Sequence, residues 1–271
     1  MNRESDEAMI VIKYGGHAMT GDINAIKPWV NAIKNALANH EQFIIVHGGG
    51  PQIDCEISAA GLKKEVIGGY RVTTPEVFSI VEKVLTGTVL RNLVRTFKIL
   101  GLPAVGISGS DGGLLEVEPK KINVAGEWKS LGQVGDVRRV HPKILDSLLS
   151  AGFIPIVSPV ATDESGMGMN INADIAAGAI AGAVNADQVI FMTDVAGIYA
   201  NWPDKSSLIT EISAEKLSEI AETFEEGMAP KVTACLNAIR SGAQSARIID
   251  GTKSENFVDA LNNRGGTLVY A

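Results

Sequence analysis

Short, almost wholly apolar segments alternate with longer helical patterns along this chain, and this feature most constrains its fold. Apolar residues are consecutive within the segments and do not alternate with polar ones, which is typical of strands covered on both faces in a parallel sheet. The predicted strands are MIVIKY (9–14), FIIVH (43–47), AVGIS (104–108), FIPIVSPV (153–160), QVIFMT (188–193), ARIID (246–250) and TLVYA (267–271).

Helical periodicity occupies the intervals between these strands. Thr74 before Pro75, and Pro230 before Lys231, are signals for the start of a helix. The predicted helices cover residues 24–38, 52–60, 75–100, 141–150, 174–184, 214–225, 231–241 and 254–262.

Two segments in the middle of the chain, 66–74 and 114–140, instead predict β-hairpins, with turns at Gly68-Gly69 and Ala125-Gly126. Hairpins inserted into a parallel α/β array commonly form lids over a binding site. We therefore predict one α/β sandwich, in which a boundary near residue 184 separates two lobes, 9–183 and 184–271, of one continuous sheet.

The composition of the 271 residues excludes several classes of function. The net charge is −7 and the Lys and Arg residues are not clustered, which argues against a nucleic-acid partner. No apolar stretch reaches the roughly 18 residues that predict a membrane span. Cys55 and Cys235 form no CxxC unit, and with the four histidines they offer no zinc-site spacing. We predict a cytoplasmic protein, because the polar start MNRESDEA is typical of neither a signal nor a transit peptide.

Two glycine-rich corners follow two of the predicted strands: Gly48–Gly50 after FIIVH, and Gly15-Gly16 just after Lys13. Glycine can serve a turn only, but it also lets backbone N–H groups approach an anion near a helix start. Two corners, one of them beside a lysine, favour a phosphate site at one edge of the sheet. The chain has no GxxxxGK[ST], no GxGxxG after a strand, no protein-kinase motif set and no GxSxG elbow. A phosphate site in this chain is therefore expected to be built differently from the sites that these motifs form.

Three cations lie at positions that favour the binding of an anion. Lys13 ends an otherwise buried strand, where the alternative is that it extends to water at the edge. Arg71 follows a glycine turn and could clamp a carboxylate through two parallel hydrogen bonds, although an arginine on a hairpin is more often plain surface. Lys231 lies in a first helical turn, where the helix dipole disfavours a cation.

Polar side chains also mark the ends of two further elements. Asn170, Asn172 and Asp174 alternate before an Ala/Gly-rich helix. Asn172 or Asp174 can be the N-cap of that helix, but three polar side chains are more than a cap requires. Asp194 follows the strand 188–193, in the region outside the carboxyl ends of parallel strands where open sheets bind ligands.

Together these motifs resemble the amino acid kinase family, in particular its members that phosphorylate N-acetylglutamate. The motifs occur in the family's order and cover essentially the whole chain beyond residue 8: KYGG (13–16), VHGGGPQI (46–53), YRVTTPE (70–76), AVGISGSDGG (104–113), NINAD (170–174), TDVAGIY (193–199) and APKVTACLNAI (229–239).

The resemblance implies a three-layer αβα sandwich with a mainly parallel, open central sheet. It implies ATP-dependent phosphorylation of the side-chain carboxylate of N-acetyl-L-glutamate in arginine biosynthesis, with Mg²⁺ carried on the ATP phosphates. The N-terminal lobe, 9–183, then binds the acyl amino acid and dimerises, and the C-terminal lobe, 184–271, binds ATP.

The resemblance also implies roles for individual residues. Lys13 and Lys231 match lysines that stabilise the transition state, and Asp174 matches the carboxylate that orients both. The matching substrate-binding positions are Gly49, Gly50, Arg71 and Asn170, and the matching nucleotide-binding positions are Gly15, Gly16, Asp194, Val195, Ala196, Gly197, Ile198, Tyr199, Thr223, Phe224 and Glu225.

Some positions depart from the family pattern, namely His17, Arg91 and Asn92, and no role is carried over to them. About eight residues precede the first strand and the chain ends RGGTLVYA, without the features of the arginine-inhibited members. The resemblance therefore predicts a homodimer, without arginine feedback, a hexameric ring or a PII protein as partner.

Two alternatives stay open at this point. A sister kinase that acts on carrier-linked aminoadipate would share the fold, but the YRVTT hairpin favours acetylglutamate as the substrate. A catalytically dead relative that senses nucleotides is the second alternative, and the intact Lys13, Asp174 and Lys231 argue against it.

Overall fold

A computed structural model describes residues 8–15, 19, 23–124, 126–224 and 228–271 of the chain. Predictions that concern Gly16, His17, Ala125 and Glu225 lie outside these residues. The helices are α1 (Ile23–Ala38), α2 (Gly50–Ala59), α3 (Pro75–Glu82), α4 (Leu90–Ile99), α5 (Lys143–Ser150), α6 (Ala173–Ala183), α7 (Ala214–Glu219), α8 (Ala229–Arg240) and α9 (Ser254–Leu261).

The strands follow the same order along the chain. They are β1 (Met9–Tyr14), β2 (Gln42–His47), β3 (Val66–Ile67), β4 (Tyr70–Arg71), β5 (Ala104–Ser108), β6 (Leu115–Val124), β7 (Glu127–Val140), β8 (Ile154–Ser158), β9 (Val160–Thr162), β10 (Gly168–Ile171), β11 (Gln188–Thr193), β12 (Ile198–Tyr199), β13 (Leu208–Ile209), β14 (Glu211–Ser213), β15 (Ser245–Asp250) and β16 (Thr267–Tyr270).

Eight of these strands form the central sheet, in the order β14-β16-β15-β11-β1-β2-β8-β5. β1 lies near the middle and pairs in parallel with β2 on one side and β11 on the other. β16 runs antiparallel to β15, and the remaining pairs that contact β11, β2 and β8 are parallel. The predicted open and mainly parallel sheet is therefore confirmed.

Helices cover both faces of this sheet, which explains why its strands are mostly apolar. In β1, Val11 packs into a core formed with α5, α6, α7 and α8 on one face. Its neighbours Ile10 and Ile12 pack into a second core, formed with α1, α2, α3, α4 and α9 on the other face. The three-layer αβα sandwich is thus confirmed.

Both predicted hairpins are present and lie beside the sheet. β6 and β7 form a long antiparallel pair, and with β10 and β9 they make a second sheet of four strands in the order β6-β7-β10-β9. β3 and β4 form a small hairpin in which a side chain built on Gly68 would lie 2.8 Å from Ile122 of β6. The two hairpins therefore touch each other.

Three predicted elements differ in detail from the structure. Between α3 and α4 the helix continues as a π-helical segment, Lys83–Val89, around Gly87. The predicted strand 153–160 is interrupted at Pro159, which has no N–H for a sheet hydrogen bond. The predicted helix 214–225 ends at Glu219 and is followed by a 3₁₀ turn, in which the Thr223 hydroxyl donates to the Ile220 carbonyl at 2.7 Å.

Among the described residues, no helix has the length and apolar character that crossing a bilayer requires.

Candidate functional site

The two glycine corners meet at the carboxyl ends of β1 and β2. The Gly48 N–H donates to the Tyr14 carbonyl at 2.8 Å. A Cβ built on Gly15 would lie 3.3 Å from the Gly48 Cα and 3.2 Å from the Lys13 Cε. The corners are therefore packed backbone against backbone, and a side chain at Gly15 would force them apart.

A cavity of about 310 Å³ opens at this point and collects six of the predicted residues. Its walls come from Lys13 of β1, from the Gly48–Gly50 corner, from the β3–β4 hairpin, from the π-helical segment and from the junction of β10 with α6. The predicted Gly15 is not part of its described lining. The predicted residues that line it are Lys13, Gly49, Gly50, Arg71, Asn170 and Asp174. Leu85 and Pro159 also line it, and no sequence pattern pointed to either of them.

Lys13 and Asp174 form an ion pair in this cavity, with 3.0 Å between Nζ and Oδ1. The N-cap of α6 is Asn172, whose Oδ1 accepts from the N–H groups of Asp174 and Ile175 at 2.8 and 3.2 Å. Because Asn172 performs the capping, the carboxylate of Asp174 is left to face Lys13. Its place in the first turn of α6 also suits a negative charge.

Arg71 is held by a carboxylate that sequence analysis missed. Its Nη2 contacts Oδ1 of Asp54, and Lys64 Nζ lies 2.9 Å from Oδ2 of the same side chain. Burial alone would raise the pKa of Asp54, but the hydrogen bonds and charges of Lys64 and Arg71 outweigh it and lower that pKa. Nη1 of Arg71 is buried and has no partner among the described residues, so its two N–H groups remain for a ligand.

Asn170 reaches the cavity from β10. Its amide nitrogen lies 3.4 Å from the Thr73 hydroxyl, which itself donates to the Arg71 carbonyl at 3.0 Å. Thr73 is fully buried. This chain of contacts fixes Asn170 and the Arg71 backbone relative to each other.

A second, larger cavity of about 650 Å³ is lined by residues between Asp194 and Lys231. Five predicted nucleotide-binding residues line it together with Lys231: Asp194, Val195, Tyr199, Thr223 and Phe224. The predicted Ala196, Gly197 and Ile198 are absent from its described lining. Ile198 is buried in the core, and a side chain on Gly197 would meet the Thr267 hydroxyl at 2.3 Å.

Sequence analysis missed Trp202 in this larger cavity. Its side chain is 48% exposed, and its ring centroid lies 5.2 Å from that of Tyr199. An exposed tryptophan on the wall of a cavity is unusual for a residue that gains so much from burial. Its position in a loop after β12 gave no signal that the sequence pattern could detect.

Close packing of α6 against α8 brings the two cavities together. A Cβ on Gly178 would lie 3.3 Å from Ala238, and one on Gly182 would lie 2.1 Å from the Ser241 carbonyl, so the helices run side by side in parallel. Burial, and then the charge of Asp174, raise the pKa of the Cys235 thiol, which places that part of α8 near the start of α6. Lys231 lies one turn before Cys235 and therefore faces the same junction.

Lys231 Nζ lies 3.7 Å from Oδ1 of Asp194. The structure thus gives each lysine an acidic neighbour of its own, Asp174 for Lys13 and Asp194 for Lys231. The expectation that Asp174 orients both lysines stays a prediction.

The fold and site define a class of protein, and comparison with known sequences agrees. The amino acid kinase family pattern matches residues 8–250, so the chain belongs to the amino acid kinase family. An acetylglutamate kinase from Rhodococcus jostii is 43% identical over an alignment that covers 97% of this chain and 86% of that protein. An acetylglutamate kinase from Corynebacterium jeikeium is 42% identical, over 96% of this chain and 82% of that protein.

A solved structure shows the same fold at lower identity. It is N-acetylglutamate synthase from Neisseria gonorrhoeae, complexed with coenzyme A and N-acetyl-glutamate, with a TM-score of 0.82 and 20% identity. The alignment covers 97% of this chain and 59% of that one. At this identity the likeness supports the fold alone.

Proposed function

We propose that this chain transfers the γ-phosphoryl group of ATP to the side-chain carboxylate of N-acetyl-L-glutamate, giving ADP and N-acetyl-L-glutamyl 5-phosphate. The relatives at 42–43% identity are named for this substrate. The observation that carries the proposal is the Lys13–Asp174 ion pair beside Gly49 and Gly50, at a junction that Lys231 also faces.

In the proposed reaction a carboxylate oxygen attacks the γ-phosphorus while the bond from that phosphorus to the leaving oxygen of ADP breaks. The attacking carboxylate is already ionised, so no general base is needed. Two anions must approach in line, and catalysis therefore depends on positioning and charge neutralisation. Lys13, Lys231 and the N–H groups of Gly49 and Gly50 supply this neutralisation, and Mg²⁺ arrives on the ATP phosphates and offsets their charge.

The smaller cavity is proposed to hold the acyl amino acid. Arg71, with its buried and unpartnered Nη1, would bind the α-carboxylate, and Asn170 would bind the acetamido end. The larger cavity would hold ATP through Asp194, Val195, Tyr199, Thr223 and Phe224, with Gly15 over the phosphates. The N-terminal lobe, 9–183, would thus bind the substrate and the C-terminal lobe, 184–271, the nucleotide.

We also propose a homodimer that forms at the β5 edge of the central sheet. β5 is the last strand on this side of the sheet, but the Arg91 guanidinium donates to its Gly106 carbonyl at 3.0 Å and its Ser108 N–H donates to Asp111 at 2.6 Å, so apolar side chains and not strand pairing would make the contact. Two exposed apolar side chains lie near this edge: Ile99 ends α4, shortly before β5 in the sequence, and Phe153 directly precedes β8, the strand that pairs with β5. Sedimentation of the wild type and of Ile99→Asp tests the proposal: an unchanged dimer in the variant would move the interface elsewhere.

A coupled assay of ADP release tests the proposed function. N-acetyl-L-glutamate should support turnover well above the ATP-only background, and a carrier-linked aminoadipate substrate should not. Turnover with the carrier-linked substrate alone would assign the sister activity. No turnover with either substrate, together with tight ATP binding, would point to a nucleotide-sensing protein.

A further inference from the structure

His47 is a fully buried polar ring at the end of β2, directly before the Gly48–Gly50 corner. A polar group in such a place is costly unless it makes a hydrogen bond. The ring makes one: its Nδ1 lies 2.7 Å from the Gly48 carbonyl oxygen. A carbonyl can only accept, so Nδ1 carries the proton and Nε2 carries the lone pair.

Apart from Nδ1, the ring has no polar partner among the residues that the structure describes. Nε2 is buried and makes no hydrogen bond within the described part of the chain. Burial lowers the pKa of His47 to about 4, so the ring is neutral at pH 7. Burying Nε2 without a hydrogen bond costs free energy. The hydrogen bond from Nδ1 to the Gly48 carbonyl is therefore the feature that explains a histidine at this position.

The bond from Nδ1 sets the direction of the next peptide group. The Gly48–Gly49 peptide is trans, so the Gly48 C=O and the Gly49 N–H point in opposite directions. Because the ring holds the C=O on its own side, the Gly49 N–H points away from it. Gly49 lines the smaller cavity, and its N–H has no acceptor among the residues that the structure describes.

Backbone hydrogen bonds hold the two neighbouring peptides, through the Gly48 N–H to the Tyr14 carbonyl and through the Ile53 N–H to the Gly49 carbonyl. Among the described residues, the Gly48–Gly49 peptide itself is held by His47. Glycine has no side chain that restricts its torsions. A Cβ on Gly49 would meet the Leu85 side chain at 2.7 Å, so a bulkier and stiffer residue there would require Leu85 to shift. From these contacts we infer that His47 is a positioning residue, which aims the Gly49 N–H at the oxygen of the reacting substrate. This inference rests on the proposed phosphoryl transfer and adds a residue to its machinery.

Asparagine and leucine at position 47 separate this role from packing. The amide nitrogen of asparagine occupies nearly the place of Nδ1, whereas leucine has almost the same shape as asparagine and no donor. His47→Leu also removes the unsatisfied Nε2, so it should fold and keep or raise its Tm. We expect kcat of His47→Leu to fall at least 10-fold with KM for ATP within twofold, since loss of one preorganised donor costs roughly 10²–10³ in kcat.

His47→Asn should recover kcat to within about threefold of the wild type, because it restores the donor. Ile45→Val, a conservative change at a buried position on the same face of β2, is the matched control and should keep kcat. Full activity of His47→Leu, or equal loss in His47→Asn and His47→Leu, would overturn the inference.

A second readout does not depend on activity. In ¹⁵N-labelled wild type, two-bond ¹⁵N–¹H correlations should show His47 as the neutral Nδ1–H tautomer at pH 7. A proton on Nε2 would refute the inference even if the enzyme is active. An inactive wild type with the Nδ1–H tautomer would instead refute the proposed function and leave the orientation of Gly49 standing.

Discussion

Replacing Asp174 by asparagine tests the most informative contact of the site. The change removes one charge from the Lys13–Asp174 pair and keeps the size and shape of the side chain. Capping of α6 is unaffected, because Asn172 makes both capping hydrogen bonds. Any effect on kcat therefore reports on Lys13 and not on the helix start.

The magnitude follows from the geometry of the pair. At 3.0 Å and an effective dielectric constant of about 20, two unit charges attract by about 5 kcal/mol. Solvent screens part of this attraction, because the Asp174 side chain is 33% exposed while that of Lys13 is 12% exposed. We expect a loss of about 1.5–2 kcal/mol in the positioning of Lys13, which corresponds to a fall in kcat of about 10- to 30-fold.

Stability should change much less than kcat. Loss of a partly exposed pair and of one favourable charge near the start of a helix costs about 1 kcal/mol, or about 2–4 °C in Tm for a chain of this size. Asp146→Asn is the matched control, since Asp146 lies in the first turn of α5 away from both cavities. Steady-state kinetics and thermal melts of both variants decide the point: a stable Asp174→Asn protein with wild-type kcat would remove Asp174 from the catalytic set.

Three further predictions concern single residues. Arg71→Lys loses the planar fork and should raise KM for N-acetylglutamate far more than KM for ATP, and an equal rise in both would contradict its assignment. Trp202→Ala should raise KM for ATP severalfold and leave KM for N-acetylglutamate unchanged. ATP should quench the tryptophan fluorescence of the wild type more than that of the variant. Identical quenching in both proteins would place the nucleotide elsewhere. For His47, the unfolded chain takes up a proton near pH 6.5 and the folded chain only near pH 4, so the free energy of unfolding should fall by up to about 3 kcal/mol as pH falls through that window. Chemical denaturation at pH 7 and pH 5 should show that the free energy of unfolding decreases less for His47→Leu than for the wild type. An equal decrease in both proteins would refute the lowered pKa of His47.

Local patterns predicted the strands and corners because their causes are local. The run 9–14 is apolar except for Lys13, because its other residues pack alternately into the two cores, and the bounds of β1 match it. The glycines after β1 and β2 could be predicted to lie at one edge of the sheet, because parallel strands bring their carboxyl ends to the same edge. The structure brings these two corners into contact.

Contacts set by tertiary packing could not be predicted in this way. The partner of Arg71 is Asp54 on α2, and neither the spacing nor the residue types around Asp54 single it out. Strands of two or three residues, such as β12 and β13, are too short to show a period. The neighbour of Lys231 is Asp194, which directly follows β11, and the tertiary packing that places the start of α8 beside the end of β11 decides which carboxylate Lys231 faces.

Chemical trapping of the product tests the central claim most directly. With ATP, Mg²⁺ and N-acetyl-L-glutamate, hydroxylamine should convert an acyl phosphate into a hydroxamate in amounts equal to the ADP released. Lys13→Ala and Lys231→Ala should each lower the rate of both products by roughly 10²–10³-fold, because each lysine neutralises charge on the transferred phosphoryl group. Release of ADP by the wild type without any hydroxamate would contradict phosphorylation of the carboxylate, and full hydroxamate formation by either lysine variant would contradict the site described for it.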